Sequence, residues 1–148
     1  MLEIIPKNNI AINVLVKNWQ EALTKAGELL VKNGYTTEQY TLDMIQAVNE
    51  FGPYIVIAPG IALGHARPTK NVLKTGLSLI VLKEPIEFGS KENDPVQVVL
   101  GLCAINDVDH LQTLTQICAF LDQDNAMQIL INSQSTADIA AAINNFKS

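Results

Sequence analysis

The fold is decided by the stretch Val96-Gln97-Val98-Val99-Leu100-Gly101-Leu102-Cys103-Ala104-Ile105. Its hydrophobicity is nearly continuous instead of alternating, which is typical of a strand at the centre of a sheet with both faces covered. Helices are therefore expected on both sides of that sheet. Cys103 in this stretch and Cys118 beyond it lie outside any CxxC or metal-ligand spacing, so we interpret both as small buried hydrophobic residues.

Three further stretches, all earlier in the chain, have the features of strands. Tyr54–Ile57 and Gly76–Leu82 are short, contain β-branched residues and are bounded by Gly, Pro or polar residues. Apolar residues alternate between positions 10 and 16, which indicates a short first strand. The sheet is thus expected to use the middle of the chain and one segment near its beginning.

Helical periodicity precedes the middle strands. Apolar residues recur every three or four positions from Trp19 onward, with Asn18 as the candidate N-cap and Gly34 as the stop signal. A second helix is predicted to be capped by Thr36, which forms a capping-box pattern with Gln39, and to end before Gly52-Pro53.

The helical period returns after the central strand. It predicts helices over Leu111–Leu121, Ala126–Ile131 and Ser135–Phe146, with Asp107 or Asp109 as the cap of the first. Strands in the middle of the chain with helices before and after them predict an α/β domain of three layers, with helices on both faces of the sheet, and not a run of βαβ units.

Length and charge narrow the functional classes. The 148 residues, 48% of them hydrophobic, suit one domain spanning residues 1–148. A net charge of -5 provides no cationic surface for nucleic acid. No apolar run reaches the roughly 18 to 20 residues that span a bilayer, and the first residues do not resemble a signal peptide. We therefore expect a cytoplasmic protein without direct membrane insertion.

Small and conformationally special residues surround one of the two histidines. The segment Ala58–Pro68 contains His65, and its lack of bulk lets the side chain of another protein approach the imidazole. Imidazole is a good nucleophile near neutral pH and can accept a phosphoryl group on one nitrogen. Arg67 offers planar donors for phosphate oxygens, and strand alternation favours placing it on the same face as His65.

The second histidine, His110, lies at the expected start of a helix, where anions are favoured. If the fold brings this helix start beside His65, His110 can donate a hydrogen bond to a phosphoryl oxygen. Two other interpretations remain open. Each histidine can be purely structural, or both can form a metal site with Asp107 and Asp109.

Glu50, followed after six residues by Ile57–Ala66, resembles the phosphorylation-site pattern of the type-2 (mannitol/fructose-type) EIIA components of the sugar phosphotransferase system. The segment meets every element of that pattern except the proline before the histidine, where this chain has Gly64. Within the family, four segments most resemble the ascorbate-type branch: His65–Pro68, Gly76–Leu79, Phe88–Ser90 and Asn93–Val96.

The resemblance implies a mixed sheet flanked by helices and a phosphotransferase that needs no cofactor or metal. It implies that His65 accepts phosphate from the phosphohistidine of HPr and passes it to a cysteine of the cognate EIIB, which serves a membrane EIIC. His110 is implied as the neighbour of His65, and Glu50 occupies the polar motif position without a derived role. The expected sugar is ascorbate or a related carbohydrate.

Three points remain open at this stage. The alternative function is a regulatory binding module that controls a transporter or a transcription regulator. Gly64 is expected to loosen the backbone before His65, because it lacks the fixed φ angle of proline. An apolar rim is expected around His65, and Ile61, Leu63 and Ala66 either belong to it or pack the domain.

Overall fold

The computed structural model describes residues 3–147, which form a five-stranded sheet between helices. The strands are β1 (Ile10–Val14), β2 (Val56–Ala58), β3 (Ile61–Gly64), β4 (Gly76–Ile86) and β5 (Val96–Cys103). The helices are α1 (Trp19–Lys32), α2 (Glu38–Phe51), α3 (Asp107–Leu121), α4 (Ala126–Asn132) and α5 (Thr136–Asn144), with one 3-10 turn at Lys7–Asn9. The predicted α/β class is confirmed.

The sheet is mixed, with the strand order β1-β4-β5-β3-β2. The central strand β5 runs antiparallel to β4 and parallel to β3, while β1 pairs with β4 in parallel and β2 with β3 antiparallel. Val98, Val99 and Leu100 of β5 are fully buried. The apolar stretch therefore occupies the central position that its continuous hydrophobicity predicts.

Side chains of β5 alternate between two cores. Leu100 and Leu102 pack with residues of α3, α4 and α5, such as Ile117, whereas Val99 packs with residues of α1 and α2, such as Leu23. Among residues 3–147, no helix is both long and apolar enough to cross a membrane.

The caps of the first two helices differ in how well the sequence predicted them. Asn18 caps α1 as predicted, because its side chain accepts a hydrogen bond from the Glu21 N–H at 2.9 Å. The predicted cap of the second helix at Thr36 is wrong by one residue. Thr36 is buried and forms a β-bridge with Val72, so Thr37 takes the N-cap position and α2 begins at Glu38.

Other differences concern short or polar segments. The strand predicted over Tyr54–Ile57 is shifted to β2, and the chain turns at Gly60, with φ of 79°, into the unpredicted strand β3. The cap of α3 is Asn106, not Asp107 or Asp109, because its side chain accepts a hydrogen bond from the Asp109 N–H at 2.8 Å.

The two cysteines differ in burial, and one side chain of α5 is bonded to the beginning of the described chain. Cys103 is buried as predicted, and burial raises the pKa of its thiol, whereas Cys118 is only partly buried against the core. The side chain of Asn144 accepts hydrogen bonds from the N–H groups of Ile4 and Ile5 and donates one to the Ile5 carbonyl. This clasp joins the beginning of the described chain to α5.

Candidate functional site

His65 is the first residue beyond β3, which ends at Gly64 opposite Gly101 of β5. The Nδ1 atom of His65 lies 3.0 Å from the carbonyl oxygen of Leu63, an arrangement in which Nδ1–H donates the hydrogen bond. The neutral ring then carries its free lone pair on Nε2. The fold thus leaves Nε2 as the ring nitrogen of His65 that is available for nucleophilic attack.

His110 lies beside His65, as the phosphate-binding hypothesis requires. The ring centroids of the two histidines are 5.6 Å apart, and the Tyr54 ring meets His65 edge-on at 5.5 Å. His110 belongs to the first turn of α3, whose start is tied to the rest of the fold. Thr75 Oγ1 donates a hydrogen bond to Asp109 Oδ2 at 3.0 Å and accepts one from the backbone N–H of Ile105.

The two histidines open into a surface cleft of about 720 Å³. The cleft brings together all four site residues predicted from the sequence: Glu50, His65, Arg67 and His110. Its other lining residues are Asp43, Gln46, Ala47, Phe51, Tyr54, Ala66, Pro68 and Asp107. Of the described residues in this lining, Arg67 alone carries a fixed positive charge. It lies beyond the end of β3, so the strand alternation invoked for it does not apply.

Burial lowers the pKa of His110, and the nearby charge of His65 lowers it further, while Asp107 opposes the shift. His110 is therefore mostly neutral at pH 7 and offers one N–H donor without adding a second positive charge to the cleft. Burial also raises the pKa of the Tyr54 hydroxyl, which stays protonated. Tyr54 and His110 therefore bring no negative charge that would repel an anion in the cleft.

Of the three candidates for the apolar rim, Ala66 lines the cleft, whereas the larger apolar residues of the rim were not selected from the sequence. Ile61 and Leu63 pack the core, with 3% and 1% of their surface exposed. Phe51 is 69% exposed at the end of α2, and Tyr54 follows it in the cleft wall. Val108 and Leu111, beside His110 in α3, are also exposed, so the predicted placement of Leu111 on the buried stripe is wrong. The buried stripe of α3 is Thr113, Ile117 and Phe120.

A periodicity argument could have found these residues. Val108 and Leu111 are out of phase with the residues of α3 that face the sheet, and an apolar residue off the buried stripe is a candidate for contact with a partner. Phe51 and Tyr54 give no such signal. Phe51 ends α2 and Tyr54 lies in the turn after it, where the apolar residues follow no period.

Fold and cleft together define a three-layer α/β domain with a histidine pair at its surface. Residues 3–146 match the family model described as "Phosphoenolpyruvate-dependent sugar phosphotransferase system, EIIA 2". The ascorbate-specific EIIA component of Salmonella typhimurium is 37% identical over 119 residues, covering 80% of this chain and 77% of the relative. The resemblance to the ascorbate-type branch is thereby confirmed.

Solved structures agree. The cryptic mannitol-specific enzyme IIA of Escherichia coli has a TM-score of 0.86 and 28% identity, with 97% of each chain covered. Enzyme IIA for mannitol from the same organism, in its complex with phosphorylated enzyme IIB, has a TM-score of 0.82 and 27% identity, covering 94% of this chain and 96% of that one. The chain belongs to the type-2 EIIA family, so its general activity is that of a phosphotransferase component.

Proposed function

We propose that this chain is a cytoplasmic phosphocarrier domain spanning residues 1–148, which accepts a phosphoryl group from the phosphohistidine of HPr on His65 and passes it to a cysteine of EIIB. The observation that carries the proposal is the hydrogen bond from His65 Nδ1–H to the Leu63 carbonyl. That bond holds the ring in the tautomer whose Nε2 lone pair can attack phosphorus.

The first step exchanges one P–N bond for another. The Nε2 lone pair of His65 attacks phosphorus, and the P–N bond to the histidine of HPr breaks, with its electron pair returning to that histidine. His65 keeps its proton on Nδ1, where the Leu63 carbonyl stabilises the positive charge of the phosphorylated ring. In the second step a thiolate of EIIB attacks phosphorus, a P–S bond forms, and the electron pair of the P–N bond returns to Nε2.

Two neighbours support the phosphoryl group in this proposal. His110, with a lowered pKa, donates its N–H to a phosphoryl oxygen, and Arg67, which lines the same cleft, supplies a guanidinium. Glu50 lines the cleft without a chemical step assigned to it. The transfer as written uses protein groups alone and needs no cofactor or metal.

The partners follow from the exposed rim and from the relatives. Phe51 and Tyr54 give the cleft an apolar edge of the kind that protein interfaces bury. Enzyme IIA for mannitol binds phosphorylated enzyme IIB, which supports EIIB as the acceptor here. We further propose that HPr is the donor, that a membrane EIIC is served only through EIIB, and that the sugar is ascorbate or a related carbohydrate, as in the relatives.

Onward transfer tests this proposal against the regulatory alternative. The protein phosphorylated by HPr is mixed with the EIIB candidates of its source organism, and the phosphate on each protein is followed over time. A carrier loses its phosphate to one EIIB cysteine within seconds to minutes, and a Cys→Ser variant of that EIIB blocks the loss. Phosphate that stays on His65 in the presence of every EIIB would instead support a regulatory module.

A further inference from the structure

The buried phenol of Tyr40 lies where β3 leaves the sheet. Tyr40 belongs to α2, and only 1% of its surface is exposed. Its hydroxyl accepts a hydrogen bond from the Ala66 N–H at 3.0 Å and donates one to the carbonyl of Leu102 in β5. One side chain therefore joins the residue that follows His65 to the central strand.

The hydroxyl replaces a bond of the sheet. Val98 of β5 pairs with Ile61 of β3, and the Val98 N–H donates to the Gly60 carbonyl at 3.1 Å. In a parallel pair, every second residue of β5 donates its N–H to one residue of β3 and accepts at its carbonyl from the residue two positions further along β3. Continued along the pair, this alternation would join the Ala66 N–H directly to the Leu102 carbonyl. The Tyr40 hydroxyl stands between these two groups and bonds to both. Regular pairing therefore ends just before His65.

His65 is held on both sides by this arrangement. The ladder fixes the chain up to Gly64, which has no ring to restrict its φ angle, and Tyr40 fixes it again at Ala66. The Nδ1 hydrogen bond orients the ring of His65, but the position of the ring depends on the backbone that carries it. Misplacing a reacting group by about 1 Å costs about 100-fold in rate.

We propose that Tyr40 is a positioning residue for His65, whose hydroxyl fixes the backbone at Ala66 and so holds Nε2 in line with the incoming phosphoryl group. The inference rests on the proposed function of His65. Tyr40 does not line the cleft, so it acts through the backbone and touches neither phosphate nor partner. Burial raises the pKa of Tyr40, so the hydroxyl keeps the proton that it donates to Leu102.

The test is Tyr40→Phe, which removes the hydroxyl and keeps the ring. Tyr35→Phe is the matched control, since it makes the same change in a ring that lies beneath the Lys74 ammonium, away from the cleft. Phosphoryl transfer from phospho-HPr is measured for each, at a temperature where circular dichroism shows the variant folded. Tyr40→Phe is expected to lower kcat at least about tenfold with KM within about twofold, because the docking surface is unchanged. Tyr35→Phe is expected to change neither.

A purely structural role would lower the melting temperature without this split between kcat and KM. A second readout is the ¹⁵N spectrum of the His65 ring, whose signals should broaden or shift in Tyr40→Phe and not in Tyr35→Phe. If Tyr40→Phe does not fold, Ala66→Pro removes the donor N–H itself. Because Ala66 lines the cleft, only the fall in kcat is expected for this variant, and its KM is not used as a criterion.

Three results would overturn the inference. A wild-type kcat in Tyr40→Phe would contradict the positioning role and leave the proposed function of His65 intact. A rise in KM alone would do the same. A wild-type protein that takes no phosphate from HPr removes the proposed function first, and the inference with it.

Discussion

At the scale of single residues, the two histidines differ because their surroundings differ. His65 has Nδ1 bonded to a carbonyl and Nε2 free, whereas His110 has a pKa lowered first by burial and then by the charge of His65. In the proposed function, the ring of His65 is the nucleophile and the ring of His110 is a neutral hydrogen-bond donor.

The pKa of His110 is a direct check on this pairing. In an NMR titration we expect it below the ordinary histidine value, and we expect His65→Ala to raise it, since that change exposes His110 and removes a neighbouring charge. Phosphorylation of His65 should raise it as well, because a phosphoryl dianion favours the protonated ring. An unchanged or lower pKa of His110 in His65→Ala would contradict the assignment.

The lowered pKa of His110 also makes the free energy of unfolding depend on pH. The folded state holds the His110 proton less tightly than the unfolded state does, so ∂ΔG of unfolding with respect to pH is positive across the titration. The contribution of His110 is complete above the unfolded pKa of about 6.5 and is lost progressively as the pH falls below it.

Gly64 stands where the resemblance to the family predicts a proline, and a side chain at this position would displace the end of Leu23. A Cβ built there would lie 2.6 Å from Leu23 Cδ2 and 3.5 Å from Met44 Sδ. We expect Gly64→Ala to lower the free energy of unfolding by about 1–3 kcal/mol, measured in urea. Leu23→Ala should cost less in the Gly64→Ala background than alone, and strictly additive effects would argue against this contact.

At the scale of elements, the start of α3 sets the position of His110. Asn106 caps α3 and Asn18 caps α1 with the same side-chain hydrogen bond. Each Asn→Ala change is expected to cost about 1 kcal/mol of stability. Only Asn106→Ala should also slow phosphoryl transfer to His65, by several-fold, because Asn106 caps the helix that contains the cleft residue His110, whereas α1 contributes no residue to the cleft. Equal transfer rates in the two variants would show that the α3 start does not position His110.

The elements also show what the sequence can predict. The strand β5 and the helix α1 were predictable because a continuous apolar run and an apolar stripe with a capped start are local signals. The strand β3 was missed because four residues among Gly and Pro carry no period. Thr36 was misassigned because its β-bridge to Val72, far along the chain, decides where α2 begins.

At the scale of the whole molecule, the clasp between α5 and the beginning of the chain offers a change remote from the cleft. Asn144→Ala removes three hydrogen bonds with Ile4 and Ile5 and is expected to cost about 1–3 kcal/mol in thermal or urea unfolding. The adjacent exposed Asn145→Ala should stay within about 0.5 kcal/mol. Both variants should accept phosphate at the wild-type rate. A slowed rate in Asn144→Ala would show that the clasp also shapes the site.

The candidate site was predictable in part. The segment around His65 and the His110 helix start could be selected from residue types, and the structure places both in one cleft with Glu50 and Arg67. Tyr54 and Tyr40 could not be selected, because their roles depend on contacts made only when α2, β3 and β5 meet.

The most direct test of the central claim is the intact mass of the protein after incubation with phosphoenolpyruvate, Enzyme I and HPr. We expect the wild type to gain one phosphoryl group that is stable at neutral pH and lost in acid, as a phosphoramidate is. His65→Ala should gain none, while His110→Ala should gain the same group more slowly. No gain in the wild type, or an acid-labile gain that survives in His65→Ala, would contradict the account.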